Sequence, residues 1–276
     1  MTYTASPTTL AMLTALLEAR TGQQLAANRA WRLDIALKPI LRDHDLASLD
    51  ALVETMMVGD VPLLADRIVD ALVNSESSFF RDAPVFDLIL EACAAVEAAG
   101  RRPRLWSAGC ATGQEPLSLA MLFAERSAPG ALMPEIVATD VSETALARAR
   151  EGRYTQFEVQ RGLPIGRLMR WFDGRDDEWT ASPELTRAVQ FRRCNLVADH
   201  VPPGRFDLVL CRNVLLYFAP AAKAEVFARL ATALRPGGLL VLGAGETVIG
   251  QTQLFAPSRR FRGLYEKVAE PARRAA

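Results

Sequence analysis

Residues 104–121 constrain the fold more strongly than any other part of this 276-residue sequence. Leu105 and Trp106 are typical of a buried strand, and the small residues 107–113 include two glycines that can adopt positive φ. Pro116 suits the first turn of a helix, because its missing N–H needs no partner there. A strand, a glycine-containing turn and a helix in this order predict the first βα unit of a doubly wound α/β sheet.

The same turn lacks the features of a phosphate site. No Lys-Ser or Lys-Thr pair follows it, so the P-loop pattern is not met, and Gly109 and Gly113 do not complete the dinucleotide fingerprint. Glu115 stands at the start of the predicted helix, where it would repel a pyrophosphate. An acid there suits a ligand with a cationic group, such as the amino group of S-adenosylmethionine. The alternative is an ordinary tight turn of an α/β domain.

Composition limits the classes of protein and of partner. Half of the residues are hydrophobic and 23% are charged, as in ordinary soluble proteins, and the 32 basic residues balance 32 acidic ones. This balance gives no reason to expect a nucleic-acid partner. The four cysteines are scattered without a C-x-x-C pair, so neither disulfides nor a zinc site are expected. The absence of a signal-like segment and of a long apolar run predicts a cytoplasmic protein without membrane insertion.

Helical periodicity dominates the first 73 residues. Leucines recur at helical spacing from Leu10 to Leu17, and Gly22 is expected to end that helix. The next helix, capped by Asn28, is expected to end before Pro39. Five basic residues accompany a single acid in the segment 20–42, which is either a solvated helix face or a docking surface for an acidic protein. These basic residues are Arg20, Arg29, Arg32, Lys38 and Arg42.

The segment 74–82 is predicted to connect the helical region to the main core. Three serines precede Phe79 and Phe80, and Arg81 follows this aromatic pair directly. An arginine beside buried aromatic side chains is a candidate anion binder. The alternative is a domain linker with an incidental arginine.

Two further strands are predicted to end in polar residues. Residues 135–140 form an apolar run that ends in Asp140, where folds of this class bind ribose hydroxyls; a helix-entry acid is the alternative. Residues 206–211 form another buried strand, and Arg212 and Asn213 follow at its carboxyl end, where they would line the crevice of an open sheet. Tyr217 could reach the same crevice or be a half-buried core tyrosine.

Residues 152–193 break the alternation of strands and helices. Aromatic and charged residues mix there, residues 173–177 are typical of a hairpin turn, and residues 189–193 alternate as in an edge strand. We interpret this region as a small inserted β-subdomain. Beyond it, a helix over 223–234 is expected to end before the strand 239–242, and the segment 259–267 is expected to supply a final strand.

With these segments in view, the chain resembles the CheR-type chemotaxis receptor methyltransferases over nearly its whole length. The resemblance rests on five motifs in the family's order, at residues 77–82, 106–121, 138–140, 211–218 and 234–240. It implies a Rossmann-like S-adenosylmethionine-dependent methyltransferase domain at residues 74–276, with an inserted β-subdomain at about 152–193. It also implies a helical N-terminal receptor-docking domain at residues 1–73.

The resemblance further implies an activity and a set of site residues. The activity is methylation of glutamate side chains on the cytoplasmic helices of chemoreceptors by a monomeric enzyme, giving methyl esters for chemotaxis adaptation or related signalling. Arg81 and Tyr217 would act on the reacting groups. The implied S-adenosylmethionine site consists of Ser75, Ser77, Arg81, Gly109, Glu115, Asp140, Asn195, Leu196, Asn213 and Val214.

The sequence departs from the family pattern in several places. Ser75 and Ser77 stand where the family usually has Asn and Thr, and Gln114 replaces the first of two acids. Residues 243–246 read Gly-Ala-Gly-Glu in place of Gly-His-Ser-Glu, and the region around Gly174 is shorter than in members that bind a receptor tether. Two other functions stay open: methylation of a small molecule, and a non-catalytic S-adenosylmethionine-binding signalling module.

Overall fold

The computed structural model describes residues 5–25, 31–59, 61–126 and 133–268, apart from the side chains of Trp31 and Arg32. The chain forms two compact units. The first, called the helical unit, comprises Met1–Asn74 together with Tyr217–Ala222. The second, called the sheet unit, comprises Ser75–Leu216 and Lys223–Ala276. The short segment from Tyr217 thus belongs with the first unit although it follows a strand of the second.

The described part of the helical unit is built from helices that bury leucine-rich faces. Ser6 accepts a hydrogen bond from the Thr9 backbone and begins the first helix, and Gly22, at a φ of 74°, ends it as predicted. Ser48 begins the third helix in the same way. The helices are α1 (Pro7–Thr21), α2 (Trp31–Asp43), α3 (Leu49–Val58) and α4 (Leu64–Leu72).

Helix α2 corrects one prediction, because it continues through Pro39 to Asp43. Leu37 and Leu41 on either side of the proline are fully buried, so packing holds the helix together across it. The hydrogen bond that Pro39 cannot donate would have reached the carbonyl of Ile35, an exposed residue. The predicted cap Asn28 lies outside the described residues.

The sheet unit contains a seven-stranded sheet of order β6-β2-β1-β7-β8-β10-β9. Strands β1, β2, β6, β7 and β8 run parallel to one another, whereas β10 is antiparallel to β8 and β9. Because β1 lies between β2 and β7, the direction of winding reverses beside it, and ligands of such sheets bind at the carboxyl ends of these strands. The strands are β1 (Arg104–Ala108), β2 (Glu135–Asp140), β6 (Val189–Arg193), β7 (Phe206–Cys211), β8 (Leu234–Leu242), β9 (Phe255–Pro257) and β10 (Tyr265–Lys267).

Helices accompany this sheet, as the α/β prediction requires. The core between them includes fully buried Trp106, whose indole N–H donates to the Thr139 hydroxyl at 2.9 Å. Strand β8 begins at Leu234, directly after the helix that precedes it, and not at Leu239 as expected. The helices are α5 (Pro84–Ala98), α6 (Gln114–Ala124), α7 (Glu143–Glu151) and α11 (Pro220–Ala233).

A second, three-stranded antiparallel sheet lies within the insert, in the order β3-β5-β4. Asp176 and Asp177 join β4 to β5 with φ angles of 48° and 64°, a two-residue turn that confirms the predicted hairpin. The strands and helices are β3 (Arg153–Thr155), α8 (Gln156–Gln160), α9 (Ile165–Trp171), β4 (Phe172–Arg175), β5 (Glu178–Ala181) and α10 (Pro183–Arg187).

The edge strand expected at the end of the insert belongs to the other sheet. Strand β6 pairs with β2 in parallel, from Val189 opposite Ile136 to Arg193 opposite Asp140. The alternation of its residues correctly indicated an edge strand, but alternation carries no information about which sheet a strand joins. This pairing brings the residues after β6 to the carboxyl end of β2.

No helix among the described residues combines the length and the apolar character that crossing a bilayer requires. The four cysteines, Cys93, Cys110, Cys194 and Cys211, are all buried and free. Burial raises the pKa of the Cys110 and Cys211 thiols well above the usual value, so both stay protonated at neutral pH.

Candidate active site

The turn after β1 is tied to the end of β2. The backbone N–H groups of Gly109 and Cys110 donate to the Thr139 carbonyl at 2.8 and 2.9 Å. The next N–H, of Ala111, donates to Oδ2 of Asp140 at 2.8 Å. Gly109 and Gly113 adopt φ angles of 80° and 92°, as their positions in the predicted turn require. Two of the predicted cofactor residues, Gly109 and Asp140, are therefore held at adjacent strand ends.

Asp140 has a structural role whichever ligand it contacts. Its Oδ1 accepts a hydrogen bond from the Ser142 N–H at 2.9 Å, and Ser142 in turn caps α7 by accepting from Ala145 at 3.0 Å. A carboxylate oxygen can accept more than one hydrogen bond, so this capping role is compatible with a contact to a ribose hydroxyl. The helix-entry role thus has a geometric basis, and ribose binding by Asp140 stays a prediction.

Glu115 is fixed at the start of α6 by two side chains. The Ser107 hydroxyl donates to Oε1 at 2.8 Å, and Nη1 of Arg212 donates to Oε2 at 3.0 Å. The Glu115 side chain is only 14% exposed. This geometry holds an anionic acceptor at the position where the sequence predicted contact with the ligand's amino group.

Arg212 connects three segments of the sheet unit. Besides Glu115, its guanidinium reaches the Arg81 carbonyl at 2.6 Å and Oδ2 of Asp82 at 2.7 Å, both through Nη2. Its Nε is buried and has no hydrogen-bond partner in the described part of the chain. Arg212 was predicted to line the crevice, without a role of its own. The only available signal was its position directly after a buried strand.

The segment that carries Ser75, Ser77 and Arg81 is anchored by its two phenylalanines. The Phe79 ring packs edge-on against Tyr154, with centroids 5.0 Å apart, and the Phe80 N–H donates to the Ser118 hydroxyl at 3.1 Å. Both phenylalanines belong to the main core, as the predicted connection requires. Ser75 and Ser77 are half-buried in a stretch without regular structure.

Arg81 is held by its backbone and leaves its guanidinium available. Its neighbours Phe80 and Asp82 both adopt left-handed backbone conformations, at φ of 49° and 55°, and its carbonyl accepts from Arg212. The Arg81 side chain is half-buried and forms no hydrogen bond or ion pair with the other described residues. A half-buried guanidinium that extends from a held backbone, without a partner among the described residues, suits an anionic group.

Asn195 and Leu196 lie at the same edge of the sheet. The Cys194 N–H donates to the Asp140 carbonyl at 2.9 Å, which brings the chain after β6 to the end of β2. The Asn195 carboxamide then accepts from the Val197 backbone at 2.9 Å and closes a turn. Leu196 is buried. The structure thus brings both residues toward Asp140, and their contact with the cofactor stays a prediction.

Residues 243–246, where the sequence departs from the family pattern, pack against Asn213. The Glu246 carboxylate accepts from the backbone N–H groups of Asn213 at 2.7 Å, Gly243 at 2.9 Å and Leu216 at 3.3 Å. A Cβ atom on Gly243 would lie 2.7 Å from Nδ2 of Asn213. Gly243 and Glu246, the two residues that match the family here, are therefore the ones that hold Asn213 in its positive φ of 59°.

Tyr217 ends a short 3-10 turn, Leu215–Tyr217, and its described contacts lie within the helical unit. Its hydroxyl accepts a hydrogen bond from the Asn74 side chain, and its carbonyl accepts from the Gln24 N–H at 2.7 Å. The side chain is half-buried. Its predicted action on the reacting groups stays a prediction.

The residues at this edge fit S-adenosylmethionine. Oδ1 of Asn213 is buried without a hydrogen-bond partner among the described residues, so an acceptor is left for a ligand N–H. Glu115 supplies a second, anionic acceptor. The ligand has an α-amino group and an adenine amino group, both of them donors. Within the described ranges no cluster of His, Cys, Asp or Glu could hold a metal ion.

Comparison with known proteins decides the family. Residues 75–262 match the family described as "CheR methyltransferase, SAM binding domain". The chain belongs to the CheR methyltransferase family. The chain is similar to chemotaxis protein methyltransferase Cher2 of Pseudomonas putida, with 35% identity over 85% of this chain and 88% of the relative. Chemotaxis protein methyltransferases of Vibrio parahaemolyticus and Pseudomonas aeruginosa are also 35% identical, over 91% and 84% of this chain and 94% and 87% of theirs.

Family membership confirms the Rossmann-like fold, the methyltransferase activity and the cofactor that the sequence predicted. The CheR match begins at residue 75 and so includes Ser75, Ser77 and Arg81 as well as the turn after β1. The protein is an S-adenosylmethionine-dependent methyltransferase. The roles assigned to individual residues of the site remain predictions, because family membership alone does not assign them.

Proposed function

We propose that this enzyme methylates glutamate side chains on the cytoplasmic helices of chemoreceptors and acts as a cytoplasmic monomer. The observation that supports this most directly is Arg81. Its guanidinium has no partner among the described residues. Its backbone is held by Arg212, which donates to the Arg81 carbonyl and to the carboxylate of the neighbouring Asp82. A half-buried cation on a backbone held in this way suits a substrate carboxylate. The names of the CheR relatives place those proteins in chemotaxis, which agrees with a receptor substrate.

The proposed reaction needs no general base. A glutamate side chain has a pKa of about 4.3 and is ionised at neutral pH, so its carboxylate can attack a methyl group directly. S-adenosylmethionine supplies that methyl group on a positively charged sulfur. Opposite charges are lost as the bond forms, so alignment and removal of water from the carboxylate favour the reaction. The protonated thiols Cys110 and Cys211 would not compete as nucleophiles.

We assign each predicted residue a role in this reaction. Arg81 orients the substrate carboxylate, Tyr217 holds its other side, Glu115 accepts from the ligand's amino group, and Asp140 accepts from the ribose hydroxyls. The helical domain, residues 1–73, docks on the receptor. The remaining cofactor contacts are Ser75, Ser77, Gly109, Asn195, Leu196, Asn213 and Val214.

Methyl transfer to a purified chemoreceptor cytoplasmic fragment tests the proposal. With radiolabelled S-adenosylmethionine, the wild-type protein should form base-labile methyl esters at glutamates, identified by peptide mapping. Transfer to small molecules only, or binding of cofactor with no transfer at all, would replace the proposal with one of the two other functions considered above.

Arg81→Gln tests the role of the clamped cation. This variant should lower kcat/KM by roughly 100-fold, the scale expected for a lost positioning contact. The matched control is Arg161→Gln, which removes an exposed arginine paired with Glu76 in the same unit. The control should retain wild-type turnover. Equal activities of the two variants would show that Arg81 does not orient the substrate.

A further inference from the structure

The loop between β9 and β10 concentrates positive charge. Residues 258–264, here called the arginine loop, contain Arg259, Arg260 and Arg262, and residues 247–265 contain no acid. The whole chain, in contrast, balances 32 basic against 32 acidic residues. None of the three arginines forms an ion pair with another described residue, and all three are exposed. This patch is therefore uncompensated within the part of the molecule described.

Hydrogen bonds and a buried anchor hold the arginine loop in place. The Ser258 N–H donates to the Leu264 carbonyl at 2.9 Å, and the Leu264 N–H donates to the Phe261 carbonyl at 3.0 Å. The Phe261 N–H donates to the Ser258 hydroxyl at 3.2 Å. Phe261 and Leu264 are 6% and 1% exposed and belong to the same core cluster as Phe80 and Phe86. The charges thus project from a fixed platform.

The strand register places this platform at the edge of the sheet that holds the cofactor residues. Tyr265 pairs with Leu240 of β8 and with Pro257 of β9, both in antiparallel fashion. Strand β8 runs parallel to β7, so the loop that precedes β10 lies toward the carboxyl end of β8. The Gly109, Asp140 and Asn213 segments follow the carboxyl ends of β1, β2 and β7 at that same edge.

From this placement we propose that the arginine loop is a docking surface for the acidic face of the receptor segment that carries the methyl-accepting glutamates. The inference rests on the proposed function, because a substrate that offers glutamates brings negative charge to this edge. Complementary charge accelerates encounter with the partner, and faster association lowers both the KM and the dissociation constant of the receptor segment. A fixed loop suits such a role, since its backbone needs little ordering when the partner arrives.

Charge reversal in the loop provides the test. Arg259→Glu with Arg262→Glu reverses two charges and retains Arg260, whose guanidinium stacks 4.9 Å from the Phe261 ring. The matched control, Arg102→Glu with Arg187→Glu, makes the same change in net charge. Those two exposed arginines precede β1 and β6, so they lie at the opposite edge of the sheet.

We expect the loop variant to raise KM for a purified chemoreceptor cytoplasmic fragment about tenfold at low ionic strength, the lower end of electrostatic steering. Its kcat and its affinity for S-adenosylhomocysteine should match those of the wild type. The difference in KM should shrink to about twofold at high salt, because salt screens exposed charges. The control variant should keep the wild-type KM at every salt concentration.

Separate readouts distinguish failure of this inference from failure of the proposed function. Binding of the receptor fragment is measured by fluorescence anisotropy, independently of turnover. If charge reversal prevents folding, the double variant Arg259→Ala with Arg262→Ala is the milder substitute. Wild-type protein that methylates no receptor glutamate contradicts the proposed function. Equal fragment affinity for wild type and loop variants contradicts docking at the loop. Loss of binding to anionic vesicles, with fragment affinity unchanged, would assign the loop to a membrane surface instead.

Discussion

Because Gly109 has no side chain, the Val214 side chain can pack directly against its backbone. A Cβ atom on residue 109 would lie 2.5 Å from Cγ2 of Val214, far inside van der Waals contact. Residue 109 also adopts a φ of 80°, which residues with a side chain rarely adopt. The turn after β1 and the segment after β7 therefore pack directly against each other. Two residues that the sequence assigned to the cofactor site form this contact.

Gly109→Ala is expected to weaken binding of S-adenosylhomocysteine at least tenfold. The left-handed backbone costs an alanine about 1–2 kcal/mol and its Cβ clashes with Val214, so we expect the turn to relax in the free protein. Binding must then restore the strained turn, and about 1.4 kcal/mol of that cost corresponds to a tenfold loss of affinity. Isothermal titration calorimetry measures the affinity. Adding Val214→Ala should restore part of it, because Cγ2 is removed while the backbone cost remains.

Gly245→Ala is the control for this series. Its added Cβ meets no atom within 4 Å, and its φ is not in the left-handed region. The control should bind the product as the wild type does. A Gly109→Ala protein with unchanged affinity would show that the turn does not form a wall of the cofactor site.

Arg212→Met is expected to lower the free energy of unfolding by about 3 kcal/mol, the scale for breaking a buried ion pair by removing one partner. The Arg212 side chain is 3% exposed, and its loss leaves Glu115 and the Arg81 carbonyl without their donors. Urea unfolding followed by circular dichroism measures the change. In Arg212→Met with Glu115→Gln the loss should be smaller than the sum of the two single losses, because the residues are coupled.

Arg81→Gln serves as the stability control, since the Arg81 side chain has no described partner. It should change the free energy of unfolding by no more than about 0.5 kcal/mol. If Arg212→Met changed the free energy of unfolding as little as Arg81→Gln does, the hydrogen bonds by which Arg212 joins three segments would contribute little to the stability of the fold. Its place beside Glu115 would then have to be explained by ligand binding alone.

Asp140→Ala is expected to reduce both stability and cofactor affinity. The substitution leaves the buried N–H groups of Ala111 and Ser142 without their acceptor, which costs about 1–3 kcal/mol for an unsatisfied group. Loss of the ribose contact should weaken binding by a similar roughly 1–3 kcal/mol. Asp140→Asn keeps one acceptor oxygen and should recover part of the stability. Unchanged product affinity in calorimetry would leave Asp140 with its structural role only.

Local patterns were sufficient to predict the elements that hold the site. Periodicity and the glycine turn identified β1, α6, β2 and β7, and the polar residues at their carboxyl ends then followed from the architecture of α/β sheets. The small insert was recognised because its aromatic and charged residues interrupt that rhythm.

Long-range contacts account for what the sequence could not reveal. Arg212 reaches Asp82 across 130 positions, and Glu246 accepts from Asn213 across 33. Local periodicity in the sequence does not indicate either of these pairings. The same limit explains why β6 was assigned to the insert, since only its pairing with β2 places it in the large sheet. Tertiary packing likewise explains why α2 continues through Pro39, which local sequence rules did not predict.

Arg29→Glu with Arg32→Glu, in the basic segment 20–42, is expected to lower receptor methylation while leaving cofactor binding intact. Arg29 and the Arg32 side chain lie outside the described residues, so the expectation rests on charge. Arg20 forms an ion pair with Asp66 at 3.1 Å, whereas Arg42 is exposed on α2. Complementary charge should speed encounter with acidic receptor helices, and the loss should therefore shrink as salt rises.

Initial rates of methylation across a salt series measure this effect, with the Arg102→Glu and Arg187→Glu protein as the control of equal charge change. Thermal unfolding must first show that the double variant is folded, because an arginine stem can pack on its own domain. Wild-type rates in low salt would mean that the basic segment is a solvated face. Receptor recognition would then have to be sought in the sheet unit, in its β-subdomain or its arginine loop.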